Sequence, residues 1–259
     1  MISRYDWAAI CVLWRRDVLK FFKQPLRIVG ALGQPILFWL IIGSGMNPTF
    51  HIQGDVPYTS YFFPGVITMT LVFASIFASV SLIEDRHRGF LQAVLASPST
   101  RVAVMFGKSA GSATVALLQM ALLLILLPAA DFAWSEVDII MLLTVCVLMS
   151  LGLSAFGIGL AWVLDNVQAY HAIQMILLVP LWVISGAMFP ISDNAPVMGA
   201  LIRFNPLSYP LAGIRHALAS GHATSAITSI SPGCALLVTA MFSLACIVIA
   251  MLMMRRTGA

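Results

Sequence analysis

Charge is what this sequence has least of. Aspartate, glutamate, lysine and arginine make up 9% of its 259 residues, against roughly 25% in an ordinary soluble domain. Hydrophobic residues make up 60%. So few charges cannot cover a water-soluble protein of this size, and the solvent around most of the chain must be lipid. Six runs, at 28–46, 61–83, 109–130, 139–164, 172–189 and 233–254, contain no Asp, Glu, Lys or Arg at all. Each is long enough to cross ~30 Å of hydrocarbon at ~1.5 Å per residue. One Lys, Arg or Asp at the centre of a span costs ~2.5–3.5 kcal/mol, so their absence is a strong signal for spanning.

Other shortages exclude other classes. The four cysteines, at 11, 146, 234 and 246, lie in apolar segments without metal-ligand spacing, so neither a disulfide framework nor a zinc site is expected. The five histidines are scattered, and His216 and His222 do not share a helix face. No Ser-His-Asp or paired-carboxylate set survives placement on a six-span topology, which argues against a membrane enzyme. Ionisable residues, which ion-coupled secondary transporters carry within their spans, are missing from these runs. That class remains the alternative reading. Gly107-Lys108-Ser109 imitates the end of a phosphate-binding loop, but the required first glycine is Val102. No nucleotide, cofactor or metal is therefore expected on this chain. About 28 residues precede the first run and no small-residue cleavage site follows it, so a cleavable signal peptide is not expected.

What charge there is falls in a few places. Six Lys or Arg precede the first run, four lie in 84–108 and two close the chain, leaving only Arg203 and Arg215 of the fourteen elsewhere. The positive-inside rule then makes both termini and the 84–108 loop cytoplasmic, as six crossings also require. The net charge of +4 is topological, and nucleic acid is not an expected partner. Residues 1–27 read as an interfacial amphipathic helix. Trp7, Ile10, Cys11, Trp14, Val18, Phe21 and Phe22 form its apolar stripe, while Arg16, Lys20 and Lys23 face away. In the 84–108 loop, Phe90, Leu91, Val94 and Leu95 share one face of a short helix that Ser97-Pro98 stops. Glu84 and Arg88 stand one turn apart, in position to brace it. Pro35 and Pro180 are expected to kink their spans. Small residues from Ser150 to Ala161, and Gly107-xxx-Gly111, offer close helix packing inside the protein. Residues 190–232 are outside yet largely apolar. They read as two short, partly re-entrant helices with Pro196 and Pro206 near their starts, and with Arg203 and Arg215 at the outer interface.

Three places together resemble the membrane permease of type-2 ATP-binding-cassette (ABC) exporters, closest in pattern to the drug-resistance and nodulation-factor branch. The first is KFFKQPLR leading into a proline-bearing span. The second is Glu84, Gly89, Ser97-Pro98, Arg101 and Gly107-Lys108. The third is SGAMFP…RFNPLSYPLAGIRHAL. The likeness covers essentially the whole chain as one transmembrane domain, 1–259. It implies an all-α polytopic membrane protein in a bacterial cytoplasmic (inner) membrane, exporting a drug, lipid or lipid-linked glycan. It also implies a second permease copy, from the same or a closely related chain, and an ATPase partner that binds ATP and Mg. By the same resemblance Glu84, Arg88, Gly89, Phe90, Leu91, Val94 and Leu95 would couple to the ATPase, and Phe73, Phe77, Met175 and Trp182 would lie near substrate. Pro190, Asn205, Pro206, Tyr209 and Arg215 would shape an external gate.

The charge distribution carries one direct test. Cysteine labelling in intact cells should reach a reporter at Asp55 and not one at Gln92, and labelling of Gln92 from outside would reverse the orientation.

Overall fold

The computed structural model describes residues 4–46, 57–189, 196–218 and 230–256, and those residues form helices joined by turns and short irregular links, with no strand among them. Six helical stretches are long and apolar enough to cross a membrane: Ile28–Met46, Tyr58–His87, Arg101–Ala130, Ile139–Val163, Val167–Ala187 and Pro232–Arg255.

The bundle is built around α3 (Tyr58–Ser79), which is buried along most of its length, with Phe62, Phe63, Val66, Ile67 and Leu71 fully enclosed. A helix apolar on every side has to be surrounded. Its neighbours are α2 (Pro25–Met46), α6 (Arg101–Leu123), α7 (Ile139–Val163), α8 (Val167–Trp182) and α10 (Ser208–Leu218). The last helix, α11 (Pro232–Arg256), lies along α7. Small residues make that approach possible: a Cβ on Gly152 would stand 2.6 Å from Ser243 Cα, and one on Gly159 2.8 Å from Ala250 Cα. Ser150 and Ser154 are fully buried, so this stripe serves packing within the chain.

Several helices begin earlier than their apolar runs, and capping explains where. α6 starts at Arg101 because Thr100 Oγ1 accepts from Ala103 N at 3.2 Å. Asp6 Oδ1 in turn accepts from Thr100 N at 2.8 Å. α8 starts at Val167 because Asn166 Oδ1 accepts from Gln168 N at 2.7 Å. Each is a side-chain cap on an otherwise orphaned amide. The stretch expected as a loop at 84–108 is thus mostly helix: α4 (Ser81–His87) continues α3, α5 (Phe90–Leu95) is a six-residue piece, and Lys108 lies inside α6.

The helix expected at the N-terminus is α1 (Arg4–Phe22), but its packed face is not the aromatic stripe. Asp6, Leu13, Asp17 and Phe21 are buried, whereas Trp7, Trp14 and Phe22 are 60%, 41% and 59% exposed. The reason is α6, on which α1 lies. A Cβ on Gly107 would meet Ile10 Cα at 3.0 Å, and one on Gly111 would meet Asp17 Cβ at 3.0 Å. The glycine ledge draws in the helix, and the lysine between the two glycines draws in its aspartate.

At the opposite end, α8 runs through Pro180 into a π-helical turn at Val183–Ala187, closed by Gly186 at φ +85°. α9 (Pro196–Phe204) and α10 follow. Pro190 lies outside the described residues.

Candidate functional site

The end of the bundle that carries α1, α4 and α5, called basal here, holds an ion cluster shared by three helices. Lys108 of α6, Asp85 of α4 and Asp17 of α1 have side chains only 1%, 3% and 9% exposed. Lys108 Nζ lies 3.0 Å from Asp17 Oδ2 and 2.5 Å from Asp85 Oδ2, and donates to Ser81 Oγ at 3.1 Å. Arg16 also bonds Asp85, and Lys20 Nζ reaches Asp85 Oδ1 at 3.4 Å. Arg16 and Lys20, expected to face away from the apolar stripe of α1, both reach Asp85. Three cations thus surround two carboxylates. Removing one member of such a set strands a buried charge.

Beside the cluster the chain reverses at Gly89, whose φ of +74° suits a residue without Cβ. α5 follows, and its four apolar residues do not present one free face. Leu91 is buried, Phe90 and Val94 pack against the core, and Leu95 is 37% exposed. The Arg16 guanidinium lies 3.9 Å from the Phe90 ring centroid, a cation–π contact that fixes α5 to the ion cluster. Gln92, Ala93, Leu95 and Ala96 are left outward. On the other side, Arg86 donates to Trp162 O at 2.7 Å and Leu164 O at 3.3 Å and pairs with Asp165, closing the C-terminus of α7. Glu84 and Arg88 meet at 3.7 Å with both side chains well exposed. An exposed pair of this kind adds only ~0.2–0.5 kcal/mol.

A cavity of about 480 Å³ opens beside α4, between α2, α3, α6 and α8. Gln34, Thr70, Phe73, Phe77, Glu84 and Gln119 are among its lining. Phe73 and Phe77 stack with centroids 6.0 Å apart, and His171 lies 5.4 Å from Phe77. The other two residues singled out for a substrate route are elsewhere. Met175 is 43% exposed on the outer surface of α8. Trp182 is buried and donates from Nε1 to Gly65 O at 2.9 Å, tying α8 to α3.

At the distal end, Arg215 is not at an interface but 6% exposed. Nη2 donates to Gly186 O at 2.8 Å, and its guanidinium lies 4.4 Å from the Tyr61 ring centroid. Tyr61 Oη donates to the same carbonyl at 2.8 Å. The π-helical turn frees that oxygen, and two side chains satisfy it. α10 is buried against α3, α7 and α11, which carries its arginine inside. Asn205 Nδ2 donates to Leu181 O at 2.5 Å and its Oδ1 accepts from Leu207 N at 2.9 Å, so it joins the loop before α10 to α8. Tyr209 Oη donates to Arg203 O at 2.9 Å, and the intervening Pro206 is half-buried.

The charges that unite the basal end are the ones least visible in the sequence. Asp17 was hidden among the apolar residues of α1, and Lys108 stood at the edge of an apolar run. The available signal was the register: Leu13, Asp17 and Phe21 repeat every four residues, opposite Gly107-Lys108-xx-Gly111.

Comparison with known proteins agrees with this architecture. A family model described as "ABC-2 type transporter" matches residues 8–219. Nodulation protein J of Neorhizobium galegae is 27% identical over 229 residues, covering 86% of this chain and 84% of that protein. The putative transport permease ycf38 of Cyanophora paradoxa is 24% identical over 212 residues, covering 79% and 72% respectively.

The cluster generates a stability prediction. Lys108→Met should destabilise the detergent-solubilised protein by about 3–5 kcal/mol, because two carboxylates lose their shared cation. Adding Asp17→Asn and Asp85→Asn should recover most of that loss in thermal unfolding. A triple variant no more stable than Lys108→Met would mean that shape, not charge, sets the cost.

Proposed function

The chain belongs to the ABC-2 type transporter family, and from that premise we propose that it is the permease of an exporter driven by a separate ATPase. As an ABC transporter permease it is a multi-pass membrane protein, with six helices long and apolar enough to cross. The family as a whole works with ABC ATPases. In this reading the membrane is a bacterial cytoplasmic membrane, the basal end and both termini are cytoplasmic, and a second permease copy completes a two-fold pathway. ATP and Mg are bound by the ATPase. The cargo is a hydrophobic or amphipathic molecule leaving the cytoplasm.

One observation carries the reading: α5 is a short helix held rigidly at the surface. Leu91 anchors it from inside, Arg16 covers Phe90, and the Gly89 turn sets its direction. Its outward residues, Gln92, Ala93, Leu95 and Ala96, are free to meet a partner. The docking face is therefore narrower than the apolar pattern suggests, and Phe90 and Leu91 act by holding α5 in place. A push on α5 passes through Phe90 and Arg16 to Asp85, and from there to α1 and α6.

The buried Lys108–Asp17–Asp85 group is a feature that favours the alternative, an ion-coupled carrier. Against it, the group lies toward the basal end of the bundle and each carboxylate already has a lysine partner.

The test is an Ala93→Asp/Leu95→Asp variant, checked for normal membrane insertion. The unaltered chain purified from its native membrane should bring vanadate-sensitive ATPase activity with it, and the variant should lose most of that activity. Equal activity in both preparations would remove α5 as the docking element. Substrate efflux that follows an imposed ion gradient without ATP would favour the carrier.

A further inference from the structure

We propose that the cavity between α2, α3, α6 and α8 is a binding site selective for lipophilic cations, molecules with an apolar body and a positive head. That the bound cation is cargo rests on the exporter reading, whereas the binding itself does not.

The volume of about 480 Å³ is that of a drug-sized ligand site. The chemistry of the walls is one-sided. Among the described residues, Glu84 is the only one of the lining with a formal charge at neutral pH when histidine is neutral, and no Lys or Arg is among them. The nearby cations are engaged elsewhere: Lys108 with Asp17 and Asp85, and Arg16 and Lys20 with Asp85. Arg88, the partner of Glu84, is held only loosely, at 3.7 Å and 68% exposed. An anionic head would therefore meet a carboxylate, and Arg88, its partner, is not among the lining. A positive head meets Glu84 and the stacked Phe73–Phe77 pair, whose π-systems attract cations. Gln34, Thr70 and Gln119 add hydrogen-bonding groups along a wall that is otherwise apolar.

Access is from the side. The first half of α2 stands away from its neighbours: a Cβ on Gly30 or Gly33 would meet nothing within 4 Å, and Leu26 and Val29 are 86% and 67% exposed. Gly30, Ala31 and Gln34 of this loosely packed half line the cavity. An amphipathic molecule lying in the membrane with its head near the basal end would find the acidic mouth at its own depth.

The experiment uses the purified full chain, without ATPase, in nanodiscs of phosphatidylethanolamine and phosphatidylglycerol, with empty nanodiscs subtracted. The probes are tetraphenylphosphonium and tetraphenylborate, which match in shape and differ in charge. Saturable, protein-dependent binding is expected for the phosphonium and not for the borate. Glu84→Gln and Phe77→Ala should each weaken it by about three- to tenfold, the range expected for losing one charge or cation–π contact. Arg88→Gln should tighten it by releasing Glu84, and Leu237→Ala, on the exposed face of α11, should leave it unchanged. Equal binding of both probes, no protein-dependent phosphonium binding, or full affinity in both the Glu84 and Phe77 variants would overturn the proposal. Because no ATPase is present, such a failure would leave the exporter reading intact. Loss of ATPase association alone would leave this site intact.

Discussion

The buried ammonium of Lys108, shared between Asp17 and Asp85, is the constraint on which the basal end depends. It draws α1 onto the glycine ledge of α6 and holds the end of α4 against both. Burying charge at the edge of a hydrocarbon layer is costly, so these groups must stay together. An apolar contact could slide along the helix. A lysine between two carboxylates has only one register, and the glycines on either side admit only one approach. Arg16 extends the lock to α5 through the Phe90 ring. A short surface helix, too short to be stable alone, thereby becomes a fixed feature of the fold.

The distal end solves a related problem around a backbone carbonyl. The π-helical turn after Pro180 leaves the Gly186 carbonyl exposed within the protein, and Arg215 and Tyr61 both donate to it. Tyr58 donates to Met188 O at 2.7 Å, and Asp138 N donates to Ala217 O at 2.8 Å. Irregular backbone at such depth is tolerated only where protein groups satisfy it. Both ends of α3 are therefore pinned by polar contacts, while its middle is packed by apolar side chains. The loosely packed first half of α2 and the outer face of α8 are exceptions, and the cavity lies between them. The least enclosed of the described helices thus flank the cavity.

Much of this was legible in the sequence. Six uncharged runs sufficed for six helices long and apolar enough to cross, and the small-residue stripe from Ser150 to Ala161 marked close packing within the chain, without naming α11 as the neighbour. Asn205 and Pro206 marked the start of α10. What the sequence concealed were choices between equally good surfaces. α1 has enough tryptophan and phenylalanine to form an apolar stripe, yet it buries two aspartates, because packing is decided by what α6 offers. Arg215 reads as an interfacial residue until α10 is seen to be enclosed. Phe90 and Leu91 share one face by periodicity, which does not say that this face turns toward the core. Trp182, expected near substrate, is buried with its indole N–H donating to Gly65 O, a contact between helices that no local pattern announces. The cavity itself is lined from five helices, α2, α3, α4, α6 and α8, and no local pattern announces it.

The central claim is that one ion cluster makes α1, α4, α5 and the start of α6 a single mechanical unit. Amide hydrogen exchange on an Asp85→Asn variant in nanodiscs tests it most directly. If the cluster is the lock, exchange should rise together across residues 4–22, 81–95 and 101–108, while residues 139–163 and 232–256 keep their protection. Faster exchange confined to residues 81–87, with α1 and α5 unchanged, would contradict the account.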